Sequence, residues 1–162
     1  MRKTQYVNPE GLTISSNDRA GELRMEWRGR ATALVALRGR DLAAEARVWW
    51  NDYAEEPSTL ARFFTDLAEG WRGWSGEKEW RALEHPFSLV ATHDGLGHIA
   101  LDVELASGFY PEDWWTKVRL LLDAGSLDEV ADRVRKFVDA APSDNRRGDA
   151  PAQAAAKGDD RS

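Results

Sequence analysis

The feature that most constrains this chain is a two-residue alternation of apolar and polar side chains across residues 11–50. Leu23, Met25 and Trp27, for example, are separated by charged residues. Because successive side chains of a β-strand point to opposite faces, this period indicates strands with one face buried and one solvated. Turn-forming residues interrupt the alternation at 17–18, 29 and 39–41. The first third of the chain therefore predicts an antiparallel meander.

Two other segments carry apolar residues at helical spacing. The first begins at Pro57, continues through an apolar stripe from Leu60 to Ala68, and is followed by Gly70. The second begins at Ser126, where Ser126 and Glu129 have the spacing of a capping box, and should end near residue 140. We interpret both stripes as faces that pack on the core.

Three further strand-like runs lie between the helices, at 87–91, 99–105 and 114–122. Asp94-Gly95-Leu96-Gly97 has the composition of a hairpin turn between the first two runs. Strands and helices that segregate along the chain are typical of the α+β class. We expect an antiparallel sheet of about six strands with two amphipathic helices packed on it. The predicted organisation is an N-terminal arm (1–10), a single domain (11–140) and a tail (141–162).

The tail is predicted to be disordered because it contains no large apolar residue that could offset the entropy of ordering it. Its acidic and basic residues balance, so the net charge of −6 belongs to the rest of the chain. An acidic body argues against nucleic-acid binding, which depends on neutralising phosphates. It leaves a basic or mixed-charge protein partner open.

The chain has no cysteine, which excludes a disulfide framework, a thiolate zinc site and a cysteine nucleophile. No apolar run approaches the roughly 20 residues that a membrane helix needs, and no apolar segment follows the polar first residues. We therefore expect a cytoplasmic protein that does not enter a membrane.

Eight tryptophans are the most unusual part of the composition. In each adjacent pair, 49–50 and 114–115, an alternating strand would bury one ring and leave the other in need of cover. Tryptophan is enriched at interaction hot spots, so Trp49 and Trp115 are candidate anchors for a partner. The glycines at 73 and 76 imply a bend that lays Trp74 and Trp80 against the helix or the sheet, either as a small core or as part of the same contact surface.

The histidines offer an alternative. His93 and His98 flank the hairpin turn, Asp94 lies between them, and Glu84 precedes the strand. Two imidazoles and a carboxylate can hold zinc. A cross-strand polar pair of His93 and His98 explains the same residues without an ion. No phosphate-binding glycine loop and no G-x-S-x-G nucleophile elbow is present, and we expect no cofactor.

Residues 60–138 include Trp71-Arg72-Gly73-Trp74-x-Gly76-Glu77-x-x-Trp80 and Thr92-His93-Asp94-Gly95-Leu96-Gly97-His98. With these two motifs the segment resembles a family of uncharacterised small actinobacterial proteins. More distantly, Leu83-Glu84 followed by a strand and the Gly-His hairpin is similar to the immunity proteins that accompany WapI-type contact-dependent toxins. That resemblance implies a small non-enzymatic α+β protein that binds a toxin-like or regulatory protein.

Our leading hypothesis is a non-enzymatic binding protein that recognises a protein partner as a monomer or small homo-oligomer. Its candidate contact residues are Trp49, Trp74, Trp80, Glu84, Asp94, His98 and Trp115. Two alternatives remain open. One is a metal-dependent hydrolase that uses His93, Asp94, His98 and Glu84. The other is a structural or assembly subunit that associates through Trp49 or Trp115.

Overall fold

The computed structural model describes residues 11–29, 32–49, 56–82, 87–107 and 113–142. These residues form eight strands and two α-helices. In chain order they are β1 (Leu12–Ser15), β2 (Glu22–Gly29), β3 (Thr32–Gly39), β4 (Leu42–Trp49), α1 (Glu56–Glu69), β5 (Glu77–Arg81), β6 (Phe87–His93), β7 (His98–Ala106), β8 (Trp115–Asp123) and α2 (Leu127–Asp139). A 3₁₀ turn, Ala124–Ser126, leads into α2.

The strands form two four-stranded antiparallel sheets, so the predicted single sheet of about six strands is wrong. The first sheet has the order β1-β2-β3-β4 and the second the order β5-β6-β7-β8. Each is a meander in which every strand pairs with its neighbour in the chain. Helix α1 separates the two meanders in the sequence. The broad α+β class stands.

The alternation of apolar and polar side chains explains the buried and exposed faces of the first sheet. Met25 pairs with Leu12 on one side and Val35 on the other, and all three side chains are buried. The next row on the opposite face contains Arg24 and Glu45 and is largely exposed. One face of the first sheet therefore belongs to the core and the other faces solvent.

The second sheet has the same two-faced character. Trp80, Leu89 and Val103 are paired in one row and are buried, and Val118 continues the row on β8. Strand β5 was not predicted from the sequence because Glu77–Arg81 contains a single apolar residue. Trp80 lies inward on this strand, whereas the glycines at 73 and 76 predict a bend that lays its ring against the helix or the sheet.

The two sheets meet where the hairpin tips of the first sheet reach the edge of β8. The Asn17 N–H donates to the Leu121 carbonyl at 2.8 Å, and the Leu121 N–H donates to Ser16 Oγ at 2.9 Å. Gly21 and Gly39 lie against the side chain of Val118. Glycine permits this close approach because a Cβ at either position would lie within 3.2 Å of Val118.

The helices pack against each other and cover the same core. Helix α1 contacts β5, where the Trp80 indole N–H donates to Thr59 Oγ1 at 3.0 Å. Helix α2 contacts β1, and the Phe137 ring stacks on Trp27 with centroids 4.8 Å apart. The Trp27 indole N–H also donates to the Phe137 carbonyl at 2.9 Å. One continuous set of buried side chains thus joins both sheets and both helices.

The predicted capping box at the start of α2 is wrong. Ser126 has a helical backbone conformation, and its hydroxyl donates back to the Asp123 carbonyl at 2.8 Å instead of accepting from the helix. The predicted arm and tail lie outside the described residues, apart from residues 141 and 142. Within the described ranges, no helix is both long and apolar enough to cross a membrane.

Candidate functional site

The structure separates the predicted contact tryptophans into core and surface residues. Trp80 is only 7% exposed, and its ring meets Phe87 edge to face at a centroid distance of 5.4 Å. With its indole nitrogen bonded to Thr59, this side chain has its contacts inside the fold. Trp80 is therefore a core residue.

Trp74 occupies an intermediate position. Its ring lies edge to face with His93 at 5.1 Å, and the Lys78 ammonium lies 5.2 Å from the ring centroid. The indole nitrogen is buried without a hydrogen-bond partner among the described residues. Trp74 thus fastens the loop after α1 to the second sheet, as the predicted bend requires, and only part of its ring reaches solvent.

His93 holds the same loop from the other side. Its Nε2 is 2.9 Å from the Trp71 carbonyl oxygen, and the Gly95 N–H donates to Nδ1 at 2.8 Å. Since a carbonyl can only accept and an amide can only donate, Nδ1 is the acceptor and Nε2 carries the proton. Both ring nitrogens are therefore committed to structural hydrogen bonds.

Asp94 and His98 organise the hairpin turn. The Asp94 carboxylate accepts from the Leu96 N–H at 2.6 Å and from the His98 N–H at 3.1 Å. Its second oxygen lies 2.8 Å from His98 Nδ1. These bonds, the Leu96 amide first, lower the pKa of the Asp94 carboxyl to about 2. The charged carboxylate is therefore part of the turn.

These contacts do not assemble the predicted metal site. The strand register places His93 opposite Ile99, so the two imidazoles have separate partners and do not form the predicted cross-strand pair. Glu84 lies outside the described residues. Within the part of the chain that the structure describes, no three His, Asp or Glu side chains are grouped closely enough to hold a metal ion.

A different feature stands out on the outer face of the second sheet. Along β8 the outward side chains are Trp115, Lys117, Arg119, Leu121 and Asp123, and we call the first four of them the β8 row. Trp115 is 67% exposed and Leu121 is 37% exposed. Their cross-strand neighbours on β7 are Ala106 and Ala100, which are too small to cover them. The row therefore presents apolar side chains at both ends.

The middle of the β8 row is held in place by ion pairs with β7. The Arg119 guanidinium bonds both oxygens of Asp102, at 2.7 and 3.0 Å. The Lys117 ammonium lies 3.7 Å from a Glu104 oxygen. Bidentate pairing fixes the geometry of the arginine more than it adds stability at an exposed site. The charges are thus locally balanced and pre-oriented between the two apolar ends.

The backbone edge of β8 is open beside this row. Even-numbered residues of β8 bond to β7, as the bond from the Ser107 N–H to the Trp114 carbonyl shows. Odd-numbered residues consequently turn their N–H and C=O groups outward, where Leu121 bonds Ser16 and Asn17 and the Asp123 carbonyl accepts from Ser126. A groove of about 380 Å³ runs between this edge and the hairpin tips at Asp18 and Arg40.

The other exposed indoles are more isolated. Trp49 is 51% exposed at the end of β4, Trp114 is 36% exposed before β8, and Trp71 is 49% exposed under the Arg72 guanidinium. Trp50 is outside the described residues, so the predicted burial of one ring per pair is testable only at 114–115, where both rings are exposed.

Sequence reasoning identified Trp115 but missed Leu121. The alternation that places Leu120 and Leu122 inward also places Leu121 outward, and that was the available signal. The two ion pairs required the register of β7 against β8, which the sequence alone does not supply.

Comparison with family models identifies the family of this chain. No curated protein matches the chain. A model of a family of unknown function, DUF6228, matches residues 14–141, which span both sheets and both helices. This chain is a member of the DUF6228 family.

Proposed function

We propose that this chain is a small non-enzymatic binding protein that recognises a protein partner through the β8 row. The observation that carries the proposal is Trp115, a tryptophan two-thirds exposed on a regular strand whose cross-strand neighbour is the small Ala106. A large indole on a rigid strand offers contact area at little entropic cost, which is why tryptophan dominates binding hot spots.

The surroundings of Trp115 support a protein ligand. Leu121 supplies a second apolar contact on the same face, and Lys117 and Arg119 supply charged groups already held in place by Glu104 and Asp102. Interfaces commonly combine apolar anchors with a polar surround. The distant similarity to immunity proteins of contact-dependent toxins agrees with such a role, and a toxin-like protein is the partner class that it suggests.

The alternative of a metal-dependent hydrolase has less support. Its proposed ligand His93 uses both ring nitrogens in hydrogen bonds that attach the tryptophan loop to the hairpin. Coordination of a metal through either nitrogen would break one of those bonds. Asp94 is likewise occupied by the backbone of its own turn.

The test is affinity capture from a lysate of the native host with three versions of the protein. The wild type should retain a stoichiometric protein, and Trp115→Ala should lose it because the anchor is gone. Trp71→Ala is the matched control, since it removes an indole of similar exposure on a different surface. A partner retained equally by wild type and Trp115→Ala would remove the β8 row from the site.

A further inference from the structure

The four sheet edges are not equally protected. On β1 the Thr13 carbonyl accepts from Arg133 of α2. On the β5 side, α1 contacts the strand and Asp66 pairs with Lys78. The β8 edge is closed in part by Ser16 and Asn17. Strand β4 contacts β7 of the second sheet, but among the described residues its outward backbone groups accept and donate no hydrogen bond.

The geometry of the β3–β4 turn shows which groups of β4 are open. Gly39 pairs with Leu42 across a two-residue turn, so these flanking residues exchange hydrogen bonds. Even-numbered residues of β4 therefore bond to β3. The N–H and C=O groups of the odd-numbered residues point away from the sheet: Ala43, Glu45, Arg47 and Trp49.

We propose that β4 pairs with β4 of a second copy of this chain, antiparallel and centred on Ala46. The first sheet of one copy then joins the first sheet of the other, and the two form one continuous sheet across a twofold axis. In this register Glu45 lies opposite Arg47 of the second copy, and Arg47 lies opposite its Glu45. Residues that face each other across the axis exchange the open backbone hydrogen bonds.

Side-chain size fits the same register. Trp49 lies opposite Ala43 of the second copy, where a small residue leaves space for the indole. Trp49 is 51% exposed in the isolated chain, and Ala43 is also exposed, so both have surface to bury. Cross-strand pairs of opposite charge and of large with small side chains are the contacts that stabilise sheets.

Neighbouring registers are disfavoured by charge. A shift of two residues in one direction places Glu45 opposite Glu45 of the second copy, and a shift in the other direction places Arg47 opposite Arg47. Like charges directly opposite each other are destabilising. A shift of one residue would place the odd-numbered residues of one β4 opposite the even-numbered residues of the other. The N–H and C=O groups of the even-numbered residues are already bonded to β3, so no hydrogen bonds could form between the copies.

The β8 edge does not have this self-complementarity. Its open residues include Lys117 and Arg119, which carry the same sign, so two copies of β8 would bring cations together. Positive charge on an edge strand is a common protection against self-pairing. The self-association surface and the proposed partner surface therefore lie on different strands of different sheets.

The test is a set of charge reversals followed by sedimentation velocity from micromolar to millimolar concentration. Wild type should dimerise. Glu45→Arg and Arg47→Glu should each lower the dimer affinity by at least about tenfold, because each replaces two attractive pairs with two repulsive ones. Arg62→Glu is the control, because it makes the same change of charge as Arg47→Glu at an exposed position of α1. It should leave the dimer intact.

Mixing the two reversed variants is the decisive step. In the mixture, the two β4 arginines of the Glu45→Arg variant lie opposite the two glutamates of the Arg47→Glu variant. The mixture should therefore form a heterodimer with an affinity near that of wild type, although each variant alone dimerises at least about tenfold more weakly. The double variant Glu45→Arg/Arg47→Glu should dimerise like wild type. A wild type that stays monomeric to millimolar concentration, or a mixture that does not associate, would overturn the proposal.

Discussion

The charged carboxylate of Asp94 has a structural role in the turn between β6 and β7. Its carboxylate accepts two backbone N–H groups and faces His98, all within the turn between β6 and β7. This turn also holds His93 against the loop that carries Trp71 and Trp74, since the Gly95 amide bonds the His93 ring. One carboxylate thus positions a turn, an imidazole and a tryptophan loop.

The stability of this turn should depend on pH in the acid range. Because the folded pKa of Asp94 is about 2 and its ordinary value is 3.8, the ionised carboxylate stabilises the folded state. That contribution is fully present above about pH 4 and is lost as the pH falls towards 2. Asp94→Asn should be less stable than wild type at pH 7, and the difference should shrink towards pH 2.

Urea unfolding of both proteins at a series of pH values measures this difference directly. A difference in unfolding free energy that stays constant between pH 7 and pH 2 would contradict the assigned role of the charge.

At the scale of elements, the contact between the two sheets depends on glycine. A Cβ at Gly21 would lie 2.7 Å from the Arg38 carbonyl oxygen, which is backbone and cannot move aside freely. The nearest atoms to a Cβ at Gly39 would be the two methyl groups of Val118, at 3.2 and 3.4 Å. The first position is therefore constrained by the chain itself and the second by a side chain.

We expect Gly21→Ala to lower the unfolding free energy by about 1–3 kcal/mol, the usual cost of overpacking. Gly39→Ala should cost less, and Val118→Ala in the same chain should relieve part of that cost. Gly125→Ala is the control, because no atom lies within 4 Å of its added Cβ. Equal losses at 21 and 125 in urea unfolding would show that the close approach does not limit stability.

The sequence predicts individual strands better than their assembly. Strands β1 to β4 lie where alternation predicts them because each has one buried and one solvated face. Strand β5 is too polar to produce that pattern, since Trp80 is its single buried residue. The division into two sheets follows from the absence of pairing between β4 and β5, and no local pattern encodes it.

The same limit applies to the candidate site. The sequence selects Trp115 because adjacent residues of a strand point to opposite faces, but in the structure both Trp114 and Trp115 are exposed and Trp114 precedes the strand. Trp80 could not be separated from Trp115, because burial depends on α1 and on Thr59, which lies 21 positions away in the chain. The outward position of Leu121 follows from the alternation along β8, but its pairing with the small Ala100 follows only from the β7–β8 register.

At the scale of the whole molecule, the protein carries two surfaces with distinct roles in the proposals. The β8 row lies on the second sheet and the β4 edge on the first. Trp115→Ala should abolish partner capture without changing sedimentation, and Glu45→Arg should weaken dimerisation at least about tenfold without abolishing capture. If Glu45→Arg also lost the partner, the two surfaces would not be independent.

The most direct measurement of the central claim is photo-crosslinking in cells of the native host. A benzoylphenylalanine replaces Trp115 in one version of the protein and Trp71, an indole of comparable exposure, in another. We expect a discrete crosslinked species with a second protein from position 115 and none from position 71. No crosslink at 115, or the same crosslinks from both positions, would contradict recognition through the β8 row.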